Sequence, residues 1–351
     1  MMGRNLNEDG DHLPMTATQS AIALELVSGV KGILAADESI PTITGRLQKV
    51  GLAPSEENRR AYREMLITTP NLSQWISGAI LSDDIFRSRL SDGRPFPVAC
   101  AEAGLLAGIK VDAGAKPLAG APGETVTEGL DGLRDRFAFY VQNGARFAKW
   151  RVVIRIGADI PSSRALSANA HALARYAALS QEAGLVPIVE PEVLMDGDHS
   201  LERTAQATGR TLRAVFGELV EQGVSLEEMI LKTNMVVSGA QSAQQADVET
   251  VAAATIRLLR ETVPAAVPGI AFLSGGQSPE LATAHLAAMV ALGPQPWEIT
   301  FSFGRALVDP ALQAWRGDAG RVTAGQEALA ARARANAEAR STSAAFRASA
   351  G

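Results

Sequence analysis

Short apolar runs recur along the chain, and each is followed by a polar or glycine-containing stretch and then by a longer segment with helical spacing. This alternation is typical of βα units, in which helices connect parallel strands. The runs predicted as strands are Ile33 to Asp37, Ile76 to Ser82, Leu106 to Val111, Phe147 to Ile154, Val186 to Glu190, Met229 to Lys232, Ile270 to Ser274 and Glu298 to Ser302. About eight such units predict a closed (β/α)8 barrel, the TIM-barrel fold.

The segments between these runs have the spacing of outer-ring helices. Leu212, Val215 and Leu219, for example, recur on one side of a helix and predict a single buried stripe. The predicted helices are Glu56 to Ile67, Gly129 to Asn143, Ser167 to Ala183, Leu201 to Gln222, Ala246 to Thr262 and Pro279 to Leu292.

The two ends of the chain differ from the barrel region. Residues 1–15 carry several charged side chains and are predicted as a flexible tail. The segment Arg321 to Arg340 is rich in Ala, Arg and Glu with little apolar patterning, which predicts an exposed terminal helix. Residues 341–351 are small and polar apart from Phe346 and are predicted to be flexible. One domain, residues 16–340, lies between the tails because no linker divides it.

Ionisable residues lie in or directly after the predicted strands, where a buried charge costs several kcal/mol unless it has a partner or a task. In a (β/α)8 barrel the loops after the strands converge at one end, where active sites are built. A structural layer of ion pairs is the alternative for any single residue. The ionisable residues in or directly after the predicted strands are Asp37, Glu38, Lys110, Asp112, Lys149, Arg151, Glu190, Glu192 and Lys232.

Several lysines together with several carboxylates suit covalent chemistry at a carbonyl group. A lysine becomes a nucleophile when burial and neighbouring cations such as Lys149 favour the neutral amine. Lys232 is then predicted to add to a ketone. Proton transfer within hydrogen-bond reach is also required, and Glu190 and Asp37 are the candidates.

Two consecutive loops after strands have the composition of a phosphate site. They read Ser274-Gly275-Gly276-Gln277 and Ser302-Phe303-Gly304-Arg305. Glycine allows a backbone amide to approach an anion, and loops after the last two barrel strands often bind phosphate. A glycine pair in one loop would more often be a turn. Two such loops, one with Arg305, favour a phosphate site.

Composition excludes several other functions. The net charge of −5 provides no strong positive field for nucleic acid or an anionic membrane, and no apolar segment is long enough for a membrane span. A single cysteine, Cys100, excludes an internal disulfide framework and suits a reducing, cytoplasmic location. The histidines have no metal-ligand spacing and no nucleotide-binding loop occurs, so neither metal nor cofactor is expected. The histidines are His12, His171, His199 and His285.

From about Gly29 to Arg305 the sequence resembles class I fructose-bisphosphate aldolases, metal-free lyases that form a Schiff base. The resemblance is carried, in this order, by 31-KGILAADES-39, 56-EENRR-60, 93-GRPFP-97, 108-GIKVD-112, 147-FAKWR-151, 187-PIVEPE-192, 231-LKTNM-235, 272-FLSGGQ-277 and 301-FSFGRAL-307. It implies a (β/α)8 barrel that reversibly cleaves D-fructose 1,6-bisphosphate into dihydroxyacetone phosphate and D-glyceraldehyde 3-phosphate. It also suggests a homotetramer.

The resemblance implies roles for individual residues. Lys232 would form the Schiff base, Glu190 would act as acid and base for the carbinolamine, and Asp37 would share proton transfer at the C3–C4 bond. Lys149 would polarise the substrate, and Glu192 would support Lys232 and Glu190. The first phosphate would be bound by Ser274, Gly275, Gly276 and Arg305, with Ser302 and Gly304 in the adjoining loop. Arg46, Lys110 and Arg151 are the weaker candidates for the other phosphate or for site structure.

The sequence departs from the better-known animal members at several positions. Thr233 follows the lysine in place of proline, Arg155 replaces a lysine, Thr42 a serine, and Gly45 the lysine often found beside Arg46. The terminal tyrosine of the animal enzymes has no counterpart, because the tyrosines here are Tyr62, Tyr140 and Tyr176. The preference for bisphosphate over monophosphate sugars therefore stays open.

The sequence alone leaves two alternatives to this function open. A different Schiff-base aldolase or a transaldolase would have similar phosphate loops. A binding protein on the same fold is the other alternative, since a fold does not determine a function. The joint presence of Asp37, Lys149, Glu190 and Lys232 argues against it.

Overall fold

The structure is a computed structural model that describes residues 18–349, with side chains described for residues 18–341. The predicted N-terminal tail, residues 1–15, lies outside the described residues. Within the described part, no helix has the length and apolar character needed to cross a membrane.

Eight parallel strands form a nearly closed barrel, which confirms the predicted (β/α)8 fold. The strands of the described residues, including β4 and β5 of a separate hairpin, are in chain order β1 (Gly32–Ala36), β2 (Ile76–Leu81), β3 (Leu106–Lys110), β4 (Ala115–Pro117), β5 (Thr125–Thr127), β6 (Phe147–Ile154), β7 (Val186–Val193), β8 (Ile230–Thr233), β9 (Gly269–Phe272) and β10 (Glu298–Phe301). The barrel order is β1-β2-β3-β6-β7-β8-β9-β10. The hydroxyl of Thr300 on β10 donates to the carbonyl of Lys31 at 2.8 Å, which brings the last strand beside the first.

Helices surround the barrel and alternate with its strands. They are α1 (Gln19–Val27), α2 (Ile40–Lys49), α3 (Glu56–Ile67), α4 (Asp83–Phe86), α5 (Phe96–Glu102), α6 (Leu133–Gln142), α7 (Ser163–Glu182), α8 (Leu201–Glu221), α9 (Val248–Thr262), α10 (Pro279–Ala291), α11 (Arg305–Trp315) and α12 (Val322–Ser349). Side-chain caps explain where several begin: Ser162, Ser200 and Asp247 each accept a hydrogen bond from a first-turn amide of the following helix.

The antiparallel hairpin β4–β5 was not predicted. Each of its strands has three residues, too few for a clear period in the sequence. Asn169 on α7 fixes the hairpin, because its side-chain oxygen accepts from the Thr127 amide and its nitrogen donates to the Thr125 carbonyl. The hairpin is thereby fixed against α7.

One end of the barrel interior is filled by apolar side chains from alternate strand positions. Ile33, Ile188 and Ile230 belong to this layer, and helix α1 covers it with Ile22 and Leu26. Since successive strand residues point to opposite faces, residues two positions further along each strand also point inward. The apolar layer thus determines which side chains line the other end of the barrel.

Helix α12 is not the exposed helix that its composition predicted. Leu329, Ala333 and Ala337 are almost fully buried, and the helix packs against α10 and α11. Small alanine side chains allow close approach without producing a strong hydrophobic pattern, which is why the sequence did not reveal this burial. The helix continues to Ser349, so the backbone of residues 341–349 is helical. The flexibility predicted for residues 341–351 stays a prediction, and residues 350 and 351 lie outside the described part.

Two glycine substitutions are expected to change stability in opposite directions. A Cβ at Gly108 on β3 would lie 2.2 Å from the ring of Phe147 inside the barrel, whereas a Cβ at Gly45 on α2 would have no neighbour within 4 Å. We expect Gly108→Ala to destabilise the fold by about 2 kcal/mol through overpacking, and Gly45→Ala to stabilise it by roughly 0.5 kcal/mol through helix propensity. Urea denaturation midpoints measure both. Equal effects of the two substitutions would contradict the packing described for Phe147.

Candidate functional site

The catalytic candidates occupy the inward-facing strand positions above the apolar layer. On β7 the inward residues run Ile188, Glu190 and Glu192, and on β8 Lys232 lies two residues after Ile230. Parallel strands in register bring these side chains to the same height in the barrel. The alternation that fills the core therefore also gathers charged groups at its carboxyl-terminal end.

Four buried side chains form a continuous chain of contacts at the centre of the site. The Nζ atom of Lys149 lies 2.7 Å from Oδ2 of Asp37 and 3.0 Å from Oε2 of Glu190. The other carboxylate oxygen of Glu190 lies 3.2 Å from Nζ of Lys232. Glu190 therefore contacts both lysines, and a proton can move between Lys232 and Glu190 without rearrangement.

The charges of this cluster determine which groups are ionised. Burial favours the neutral carboxyl of Asp37, but the charges of Lys149 and Lys232 outweigh burial and lower its pKa to about 2. The pKa of Glu190 is also lowered, because the same lysines and Arg151 outweigh its burial. Burial opposes the Lys149 ammonium, but Asp37 and Glu190 raise its pKa above the ordinary value. At neutral pH, Lys149 is a cation between two carboxylates.

A second layer of ion pairs surrounds the central cluster. The Arg151 guanidinium donates to Glu192, and its backbone amide donates to Asp112 at 3.2 Å. Lys110 Nζ lies 2.6 Å from Oδ1 of Asp112. Burial acts against the charge of Arg151, yet Glu192 and Glu190 raise its pKa above the usual value. Glu192 thus contacts the neighbouring arginine and not Lys232 directly.

The two glycine-containing loops meet beside Lys232. Gly275 and Gly276 have φ values of 58° and 89°, backbone conformations in which a side chain is strained. A Cβ built at Gly276 would lie 3.1 Å from a terminal nitrogen of Arg305, the first residue of α11. The hydroxyl of Ser302 is buried and has no hydrogen-bond partner among the described residues. Both loops, with Arg305 and Ser302, line the same cavity as Lys232.

Arg46 lies on the wall of the cavity but is already paired. Its guanidinium donates to Glu38 and to Asp309, and to the hydroxyl of Tyr62 at 3.2 Å. Arg63 donates to the other oxygen of Glu38. Sequence reasoning named Arg46 as a phosphate candidate without these partners, because Asp309 lies far away in the chain.

The central cluster, the second layer of ion pairs, the two glycine loops and Arg46 line one cavity of about 360 Å³ at the carboxyl-terminal end of the barrel. Every predicted site residue is on its wall: Asp37, Arg46, Lys110, Lys149, Arg151, Glu190, Glu192, Lys232, Ser274, Gly275, Gly276, Ser302, Gly304 and Arg305. Gly114 and Ala115, where the hairpin begins, also line it and were missed. The Gly- and Pro-rich segment after Asp112 was the only signal of a turn there. Within the described residues, no group of three or more His, Cys, Asp or Glu could hold a metal ion.

Fold and cavity together define a (β/α)8 barrel protein with a buried lysine–carboxylate cluster where barrel enzymes place their active sites. The model of the family described as "Fructose-bisphosphate aldolase class-I" matches residues 19–349. The "Probable fructose-bisphosphate aldolase class 1" of Xanthomonas campestris is 56% identical over 315 residues, covering 90% of this chain and 94% of that protein. Fructose-bisphosphate aldolase B of Gallus gallus is 49% identical, with coverages of 90% and 88%.

A solved structure agrees with these relatives. Fructose-bisphosphate aldolase from Plasmodium falciparum, in complex with TRAP and a small molecule inhibitor, has a TM-score of 0.90 and 44% identity, with coverages of 92% of this chain and 93% of that chain. The chain belongs to the class I fructose-bisphosphate aldolase family, whose members are metal-independent aldehyde-lyases. The family and activity predicted from the sequence are confirmed.

The charge on Asp37 is expected to make stability depend on pH. Its folded pKa of about 2 lies below the ordinary 3.8, so ionised Asp37 contributes roughly 2 kcal/mol of stability above pH 3.8, and this contribution is lost as pH falls through 2. We expect the stability difference between wild type and Asp37→Asn to shrink between pH 6 and pH 2.5, measured by urea denaturation. Asp159→Asn, at an exposed position, is the control. A pH-independent difference would contradict the ionisation of Asp37.

Proposed function

We propose that the cavity cleaves D-fructose 1,6-bisphosphate through a Schiff base on Lys232, with Glu190, Asp37 and Lys149 as its proton-transfer and charge-stabilising partners. The observation that carries this proposal is the contact of Glu190 with both lysines on the wall of a cavity that also contains the two glycine loops. The reverse reaction joins dihydroxyacetone phosphate and D-glyceraldehyde 3-phosphate.

Imine formation begins with proton transfer from the Lys232 ammonium to the Glu190 carboxylate, 3.2 Å away. The free amine attacks the C2 carbonyl of the open-chain sugar. Protonated Glu190 then returns its proton to the carbinolamine hydroxyl, which leaves as water. Because its pKa is lowered, Glu190 is an ionised carboxylate at neutral pH and can accept this proton.

Cleavage uses the iminium as an electron sink. A carboxylate removes the C4 hydroxyl proton, the C3–C4 bond breaks, and its electron pair moves into the enamine on Lys232. Asp37 and Glu190 are both candidates for this proton, since each contacts Lys149 and each is ionised. Glyceraldehyde 3-phosphate leaves first, and protonation and hydrolysis of the enamine release dihydroxyacetone phosphate.

The phosphates are assigned to opposite sides of the cavity. The amides of Gly275 and Gly276, the hydroxyls of Ser274 and Ser302, and the adjoining Gly304–Arg305 turn would bind the C1 phosphate. Lys110 and Arg151 would face the other phosphate. Because Arg46 already has two carboxylate partners, we assign it to the support of Glu38.

Further properties follow the family resemblance. We propose a cytoplasmic homotetramer that needs neither metal nor organic cofactor and binds neither nucleic acid nor membrane. Two relatives from Arabidopsis thaliana carry the word "cytosolic" in their names. A solution mass near that of the 36.8 kDa chain would count against the tetramer.

Borohydride trapping tests the proposed function. The protein is incubated with fructose 1,6-bisphosphate in EDTA, reduced with borohydride and mapped by peptide mass, with a parallel cleavage assay. We expect a reduced adduct on Lys232 and full cleavage in EDTA. Absence of an adduct, or activity abolished by EDTA, would overturn the Schiff-base mechanism.

A further inference from the structure

A buried histidine and glutamine lie directly behind the proposed phosphate loop. His285 on α10 is 3% exposed, and its Nδ1 lies 2.5 Å from Oε1 of Gln277, the residue that ends the loop. Neither side chain is among those that line the cavity. The pair can therefore affect the site only through the residues that it contacts.

Gln277 connects two parts of the site. Its side-chain nitrogen donates to the carbonyl of Ser274 at 3.0 Å and lies 3.5 Å from the sulfur of Met235. Its backbone amide also donates to the Ser274 carbonyl. Met235 comes three residues after Lys232. The side-chain amide of Gln277 therefore connects the segment after β8, which follows the lysine, to the loop that contains Ser274.

The Ser274 carbonyl and His285 together determine which way this amide points. If the Gln277 amide were reversed, its oxygen would face the Ser274 carbonyl, and two acceptors would oppose each other. The observed orientation requires a donor opposite Oε1, and this donor is Nδ1–H of His285. Nε2 of the ring has no partner among the described residues, so a neutral ring with its proton on Nδ1 leaves no buried donor unpaired. Burial also lowers the pKa of His285, against the opposing charge of Glu249, which favours this neutral form.

We propose that His285 is a positioning residue for substrate phosphate: its Nδ1–H orients Gln277, and Gln277 holds the Ser274–Gly276 loop in its phosphate-binding conformation. This inference rests on the proposed function of that loop. The loop needs such support because Gly275 and Gly276 both have positive φ, and glycines restrain the backbone weakly. The hydrogen bond between His285 and Gln277 is thus expected to affect substrate binding more than the chemical step on Lys232.

The test compares His285→Leu, which removes the donor, with His285→Asn. The amide nitrogen of asparagine occupies nearly the position of imidazole Nδ1, so it can still donate to Gln277. We expect His285→Leu to raise both KM for fructose 1,6-bisphosphate and Ki for inorganic phosphate about 10-fold, with kcat changed by less than about 3-fold. His285→Asn should restore both constants to within about 2-fold of wild type.

Gln277→Met gives an independent result because it leaves the histidine in place. It should raise KM and Ki as His285→Leu does, and the double variant should be no worse than either single one. Leu286→Ala, at the fully buried next residue of α10, controls for loss of stability and should leave KM and Ki unchanged. Unchanged KM and Ki in both His285→Leu and Gln277→Met, or an asparagine variant as impaired as the leucine variant, would overturn the proposal.

Trapping on Lys232 separates this inference from the function on which it rests. If wild type forms the reduced adduct but the His285 and Gln277 variants bind phosphate normally, only the positioning role fails. If wild type forms no adduct, the proposed function itself fails.

Discussion

Replacing Lys232 with methionine is expected to lower kcat for fructose 1,6-bisphosphate cleavage by at least about 10⁴-fold, because the proposed mechanism takes the amine of the imine from Lys232. Methionine retains most of the side-chain volume but cannot attack a carbonyl. Glu190 keeps Lys149 as its partner, so the variant should remain folded. Steady-state cleavage kinetics and borohydride trapping measure the effect, with circular dichroism to verify folding.

Lys49→Met is the matched control for this substitution. Lys49 is an exposed lysine in the last turn of α2. The Lys49→Met variant should retain the wild-type kcat and form the same adduct on Lys232. A folded Lys232→Met protein that still cleaves the sugar, or an adduct mapped to Lys149 or Lys110 in wild type, would move the covalent step to another lysine.

Glu190→Gln is expected to impair both catalysis and stability. Glutamine keeps the shape of the side chain but can neither take a proton from Lys232 nor balance its charge. We expect kcat to fall about 10²- to 10⁴-fold. We also expect a loss of about 3 kcal/mol of stability at pH 7, because two buried ammonium groups lose their shared carboxylate.

The stability loss should depend on pH in a defined direction. The folded pKa of Glu190 is lowered below its ordinary 4.5, so its contribution is present above pH 4.5 and is lost as pH falls through the folded value. Urea denaturation at pH 7 and pH 3.5 should therefore show a smaller difference between wild type and variant at the acidic pH. Glu221→Gln, at the exposed end of α8, is the control.

Single-turnover trapping identifies the step at which Glu190 acts. If it moves protons during carbinolamine formation, the adduct on Lys232 should accumulate more slowly in Glu190→Gln than in wild type. An unchanged trapping rate together with slow cleavage would instead assign Glu190 to the C4 hydroxyl and leave the earlier proton transfer to another group.

The sequence by itself determined the barrel and the candidate residues of its site, because both depend on local patterns. Strand and helix periods extend over a few residues, and the predicted β6, Phe147 to Ile154, agrees with the structure to the residue. A charged residue inside an apolar run, such as Lys149 or Glu190, is conspicuous for the same reason. The two glycine loops were also recognisable, since each lies directly after a strand.

Only the tertiary structure decided which of these residues contact one another. The attachment of Arg46 to Asp309, the contact of Glu190 with both lysines, and the placement of His285 behind Gln277 depend on how distant segments are brought together. Helix α12 shows the same limit, because Ala333 and Ala337 become core residues only through the helices that they meet. Local secondary-structure propensity depends on residues that are close in sequence. Contacts such as Arg46 with Asp309 form only when the barrel brings together segments that are hundreds of residues apart.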